Sequence, residues 1–109
     1  MKWITHILYG VLIGEYLGVP LSNSLPLSVT HTVLTDLLGH RGLRRAPWHG
    51  FLSLALGILL SMNNLIYGIA LGLTHILLDI ISPGRLAVSL WYNLPFIAAA
   101  ILLLGINLI

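Results

Sequence analysis

Apolar residues run along this chain in five blocks, separated by short breaks that are polar or carry proline. The breaks are Pro20-Leu21-Ser22-Asn23-Ser24, the hydrophilic stretch from Gly39 to Pro47, Asn63-Asn64, and Ser82-Pro83-Gly84. No period of two marks strands inside the blocks, and glycine, histidine and carboxylate recur at the three- and four-residue spacing of a helix face. The pattern predicts helices over 3–19, about 25–38, 48 or 49 to 62, 65–81 and about 94–109, with Pro26 tolerated in a first turn. Trp91-Tyr92-Asn93 reads as an interfacial lead into the last of them.

Composition changes the picture from five helices to five helices in lipid. Of the 109 residues, 58% are hydrophobic and 7% charged, with a mean hydropathy of +1.00, whereas a soluble domain has about 25% charged residues. The sequence therefore predicts one all-α domain over 1–109, an integral membrane bundle of about five transmembrane helices in the cell membrane. Segments of roughly 14 to 19 residues are short for a hydrocarbon core of about 30 Å, so some need not cross fully. The first block follows Met1-Lys2 as a signal peptide would, but His6 and Glu15 interrupt it and no small-residue cleavage site follows. It reads as a retained helix. The absence of cysteine excludes disulfides and thiolate metal sites. A net charge of +2 gives no ground for a nucleic-acid partner.

Candidate chemistry begins with His75 and Asp79, four residues apart at the end of the fourth block, where both side chains reach one point above the helix. Suppose the helices alternate in direction, and call the side where the chain begins the near side. His6, Asp36, His40, His49, His75 and Asp79 then all fall at the near side, drawn from four helices. Lys2, Arg41, Arg44, Arg45 and Arg85 fall there too, while the far-side turns carry no Lys or Arg, so the near face is expected to be cytoplasmic. Glycine stripes, Gly18-Gly14-Gly10 leading to His6 and Gly68-Gly72 leading to His75, would bring the first and fourth helices together. Glu15 and His31 are expected to satisfy each other at mid-membrane, since an ionisable group in lipid usually faces a partner.

Thr5-His6-x-x-x-Gly10, Asp36-Leu37-Leu38-Gly39-His40, Arg45-Ala46-Pro47-Trp48-His49 and Gly72-x-x-His75-x-x-x-Asp79, in that order, resemble a family of membrane-bound metal-dependent hydrolases. That group includes LexA-regulated inner-membrane members and short archaeal relatives, and is distantly similar to zinc-dependent phospholipase C. The resemblance implies His6, Asp36, His49, His75 and Asp79 as metal ligands, with His40 at the rim. The chain departs from the family pattern at Gly50, where a serine is common, and in having Asp36 alone ahead of His40.

The expected function is a membrane-embedded hydrolase in which a divalent metal, zinc by preference, activates water against a phosphoester or phosphodiester. Asp36 or His40 would be the general base. A membrane lipid is the expected partner and a phosphate-bearing lipid or small molecule the expected substrate, with Arg41, Arg44 and Arg45 suited to phosphate. Two alternatives stand beside it: a metal-ion transporter or non-catalytic metal-binding membrane protein, and a small structural or partner-regulating protein whose site has decayed.

Overall fold

The computed structural model describes residues 2–39, 46–82, 86 and 89–108, without the side chains of 38, 39, 46–49, 107 and 108. Five helices make up the fold: α1 (Trp3–Tyr16), α2 (Leu21–Gly39), α3 (Ala46–Leu60), α4 (Leu65–Ile80) and α5 (Leu90–Leu108). The all-α expectation and the five elements hold, and no strand occurs among the described residues. Successive helices alternate in direction. Ser28 of α2 lies beside Ile7 of α1, Ser53 of α3 beside Gly72 of α4, and Tyr67 of α4 beside Gly10 of α1. α5 runs parallel to α1, with Asn93 level with Thr5 and Phe96 level with Tyr9. Helices α1 to α4 close a ring around a common interior, and α5 leans on the outside of α1.

Three of the helix ends that differ from the sequence reading have a local reason. α1 stops at Tyr16 rather than residue 19. Gly18 takes the left-handed conformation (φ +80°), and the Val19 and Gly18 amides return to the carbonyls of Gly14 and Glu15 at 2.7 and 3.2 Å. This is a Schellman close, and it needs the missing Cβ of glycine. α2 starts at Leu21 because the Pro20 carbonyl takes the amides of both Asn23 and Ser24. α5 starts at Leu90, with the Ser89 hydroxyl accepting from the Tyr92 amide, so Trp91, Tyr92 and Asn93 are helical. In both helices the proline, Pro26 or Pro95, is the sixth helical residue rather than a first-turn one.

Polar side chains fill much of the interior and large apolar ones much of the surface. Among the described residues the buried hydrophobic side chains are six, while thirteen polar or charged ones are buried and 27 large hydrophobics are exposed. The buried face of α2 is Ser24, Ser28, His31, Thr32, Thr35 and Asp36, and its exposed face carries Leu21, Leu25, Val29 and Leu37. Even so, no helix among the described residues is long and apolar enough to cross a membrane. α1, α3 and α4 have 14, 15 and 16 residues, which is about 21 to 24 Å at the α-helical rise. α2 is longer, but its polar face lowers its apolarity. The five crossings expected from the sequence are thus not met by these helices.

The helices approach closely where glycine faces glycine. A Cβ on Gly57 would stand 2.2 Å from the Gly68 carbonyl oxygen, and one on Gly68 2.5 Å from that of Gly57. The glycine stripes of α1 and α4 therefore do not face each other as expected. Gly68 and Gly72 receive α3, while Gly10 and Gly14 receive Ser28 and Ser24 of α2.

Candidate metal centre

The antiparallel pairing of α1 with α4 sets His6 beside the last turn of α4. His6 Nε2 stands 3.0 Å from Asp79 Oδ1, and its ring stacks on that of His75 with centroids 3.8 Å apart and planes at 13°. His75 Nε2 lies 3.4 Å from Asp79 Oδ2, the i to i+4 pair read from the sequence. α2 delivers Asp36 from the other side, with Oδ1 3.2 Å from the same His75 Nε2. His6, His75 and Asp79 each offer a ligand atom within 4.8 Å of the others, so the group could hold a metal ion.

Three N···O contacts therefore converge on two ring nitrogens. Each Nε2 carries at most one hydrogen, so at most two of the three can be hydrogen bonds at once. Two imidazoles and two carboxylates at one point are a nitrogen and oxygen donor set of the kind that a divalent cation takes. Nitrogen and oxygen ligands at 2.0–2.1 Å around a tetrahedral ion stand about 3.3 Å from one another. The 4.8 Å that encloses one ligand atom each of His6, His75 and Asp79 is wider than that, so an ion would draw these side chains closer together. The two imidazoles are almost wholly enclosed, Asp36 nearly so, and Asp79 is about a third exposed, with 34% of its side chain open. The cluster is thus reached past Asp79. His6 Nδ1 is buried with no hydrogen-bond partner among the described residues.

Four of the six candidates meet: His6, Asp36, His75 and Asp79. His40 lies outside the described residues, as does the side chain of His49, whose backbone is in the first turn of α3. The arginines at 41, 44, 45 and 85 are outside them too.

The expected Glu15–His31 pair does not form. His31 Nε2 donates to the Ser53 carbonyl at 2.8 Å, and the ring stands at 83° to His75 with centroids 5.6 Å apart. The register explains the error. Gly10 faces Ser28 and Gly14 faces Ser24, so Glu15 is level with Asn23, about eight residues or 12 Å along α2 from His31. His31 thus belongs beside the cluster. A signal for it existed in the sequence: Ser24, Ser28, Thr32 and Asp36 repeat every four residues, with His31 and Thr35 beside them on the same face.

Below the cluster several interior polar groups are tied to backbone, whereas the buried hydroxyls of Ser24, Thr35 and Ser61 have no hydrogen-bond partner among the described residues. Ser28 Oγ donates to Ile7 O at 2.8 Å, Ser53 Oγ to Gly72 O at 3.0 Å, and Tyr67 OH to Gly10 O at 3.1 Å. Asn93 joins α5 to α1, accepting from the Lys2 amide and the Thr5 hydroxyl. The far end holds an uncharged cavity of about 490 Å³ between the α1–α2 and α3–α4 turns, walled in part by Asn23, Ser61, Asn63 and Tyr67. It is remote from His6, Asp36, His75 and Asp79. Comparison with known protein families, with characterised proteins and with solved structures gives no match.

Proposed function

We propose that this chain is a membrane-embedded metal-dependent hydrolase that acts on a phosphoester, of lipid or of a small molecule, at the end of the bundle where Lys2 lies. The observation that carries the reading is the convergence of Asp36 and Asp79 on His75 Nε2, with His6 Nε2 on the other Asp79 oxygen, which brings a metal-ligating donor set to one point. The family resemblance of the four sequence motifs agrees with it. A divalent ion bound there, zinc by the nitrogen and oxygen donor set, would supply a Lewis acid and a water acidified to a pKa of about 7.

The chain's own groups divide the remaining work. Asp79 spans both imidazoles, one oxygen to each, and fixes the distance between them. Asp36, beyond the three-residue group, is placed to take a proton from water. His6 and His75 exclude solvent from the inner side by stacking, so that approach is from the Asp79 side. The segment between α2 and α3 contributes Arg41, Arg44 and Arg45, cations suited to phosphate.

Placement in lipid is part of the proposal. Buried Ser, Thr, His and Asp beneath an outer surface of Leu, Ile, Trp and Phe is the arrangement a bilayer stabilises and water opposes. Helices of 14 to 16 residues suit a locally thinned bilayer. Lys2 at the metal end makes that end cytoplasmic under the positive-inside rule. A transport role would need an open path through the bundle, whereas Tyr67 spans the interior from α4 to α1.

Metal analysis of detergent-purified protein tests this. We expect about one divalent ion per chain, lost in His75→Ala and Asp79→Ala, and chelator-sensitive cleavage of bis(p-nitrophenyl) phosphate restored by zinc. A protein purified without chelator that carries no stoichiometric ion removes the proposal. An ion without turnover leaves a metal-binding membrane protein.

A further inference from the structure

His31 is 1% exposed and lies on the same buried face of α2 as Asp36, yet its ring nitrogens are not among the grouped metal-binding atoms. Its Nε2–H is committed to the Ser53 carbonyl at 2.8 Å, which fixes both the tautomer and the plane of the ring. In that plane the ring stands at 83° to His75, with centroids 5.6 Å apart. His6 meets the same His75 ring in parallel at 3.8 Å. His75 is thereby held by one imidazole stacked on it and a second at right angles, and rotation about its side-chain bonds is resisted from two directions.

Ser53 ties the arrangement to the helix that carries His75. Its carbonyl holds His31, and its hydroxyl donates to Gly72 O at 3.0 Å, one turn before His75. Gly72 lets α3 come this close: a Cβ there would stand 2.8 Å from Leu54 Cα and 3.0 Å from Ser53 O. The ring of His75 and the turn that bears it are thus positioned from the same residue of α3.

We propose that His31 is a positioning residue for the metal centre, setting the ring of His75 so that its Nε2 faces Asp36 and Asp79. The inference rests on the metal-binding reading above for its consequence in affinity, but its structural content, the orientation of His75, holds without an ion. Loss of a hydrogen-bonded outer partner of a ligating histidine lowers metal affinity by about 10- to 100-fold, and the edge-on ring of His31 sets the same ring orientation by contact.

Two measurements on the full chain test it. The first is Co²⁺ titration followed by visible absorption, with thermal unfolding of the metal-free protein in parallel. His31→Leu should bind Co²⁺ about 10- to 100-fold more weakly with metal-free unfolding nearly unchanged, and His31→Gln, which keeps a donor for the Ser53 carbonyl, should recover most of the affinity. Equal affinity in wild type and His31→Leu, or no recovery in His31→Gln, overturns the proposal. The second is imidazole ¹⁵N NMR of the metal-free protein, where His75 should be one tautomer in wild type and a mixture in His31→Leu. An unchanged His75 pattern also overturns it. Failure of wild type to bind Co²⁺ strikes the metal reading alone, and the NMR result then decides the role of His31. Should His31→Leu not fold, His31→Phe, which keeps the ring and loses the donor, replaces it in both measurements with the same direction expected.

Discussion

In the far half of the bundle and at its middle, Tyr67, Ser28 and Ser53 each place a hydroxyl on a carbonyl of a neighbouring helix. In the near half, His6, His75, Asp36 and Asp79 place ring nitrogens against carboxylates. Both halves bury polar atoms, but their chemistry differs. A hydroxyl on a helical carbonyl is complete, because the carbonyl keeps its own helical donor and has a second lone pair. Two carboxylates around two imidazoles are instead a donor set of the kind that a divalent cation takes. The first arrangement stabilises the bundle. The second, under the proposed function, receives an ion.

The comparison breaks most visibly at the α3–α4 crossing. Gly57→Val places a Cβ 2.2 Å from the Gly68 carbonyl oxygen, a backbone atom that cannot turn aside as a side chain could. Separation of the two helices would also pull Ser53 from Gly72 and His31 from Ser53. The expected cost exceeds about 3 kcal/mol, at the severe end for overpacking, and no monodisperse helical protein should be recovered by circular dichroism and size exclusion in detergent. A folded Gly57→Val protein of normal stability would show that this crossing does not hold the bundle.

Asp79→Asn sharpens the contrast by separating binding from stability. The amide loses the charge that a cation needs, and metal affinity should fall at least about 100-fold, equivalent to about 2.7 kcal/mol. Without metal, the same change removes one of two carboxylates facing a single imidazole. The metal-free unfolding temperature should therefore stay level or rise, the pattern of a site whose function is held against stability. Isothermal titration with Zn²⁺ and thermal unfolding with chelator read the two effects. A clear fall in metal-free stability would mean that the cluster is a finished structural network like the far half.

The two halves were unequally legible in the sequence. The meeting of His6 with His75 and Asp79 was readable, because helix alternation and i to i+4 spacing are local rules. The reason offered for it was not the one that operates: the glycines of α1 and α4 face α2 and α3 instead of each other. The polar face of α2 was missed at its start, since Pro20 to Ser24 has the composition of a turn. Only burial against Gly10 and Gly14 converts Ser24 and Ser28 into interior helical residues. The misplacement of His31 has another source, because depth counted down from His40 at the polar loop puts it opposite Glu15. The register is set by Gly-Ser contacts between helices, which no spacing within one helix records.

Tyr67 gives the smallest and most discriminating effect. Its ring is 1% exposed and its hydroxyl lies 3.1 Å from Gly10 O and 3.4 Å from Ser24 O, so it spans α4, α1 and α2. Phenylalanine keeps the ring that fills the space beside Gly14 and removes only the bond. The Gly10 carbonyl is not orphaned by this, since it lies within the hydrogen-bond ladder of α1. The cost should then be close to that of an ordinary interhelical hydrogen bond in a membrane, about 0.6 kcal/mol. Because Tyr67 borders the far cavity and not the cluster, Zn²⁺ affinity should be unchanged within twofold. Reversible unfolding in mixed micelles reads the first number and titration the second. A tenfold loss of Zn²⁺ affinity in Tyr67→Phe would mean that the hydroxyl ties and the metal centre form one coupled network, and that the division between the halves is wrong.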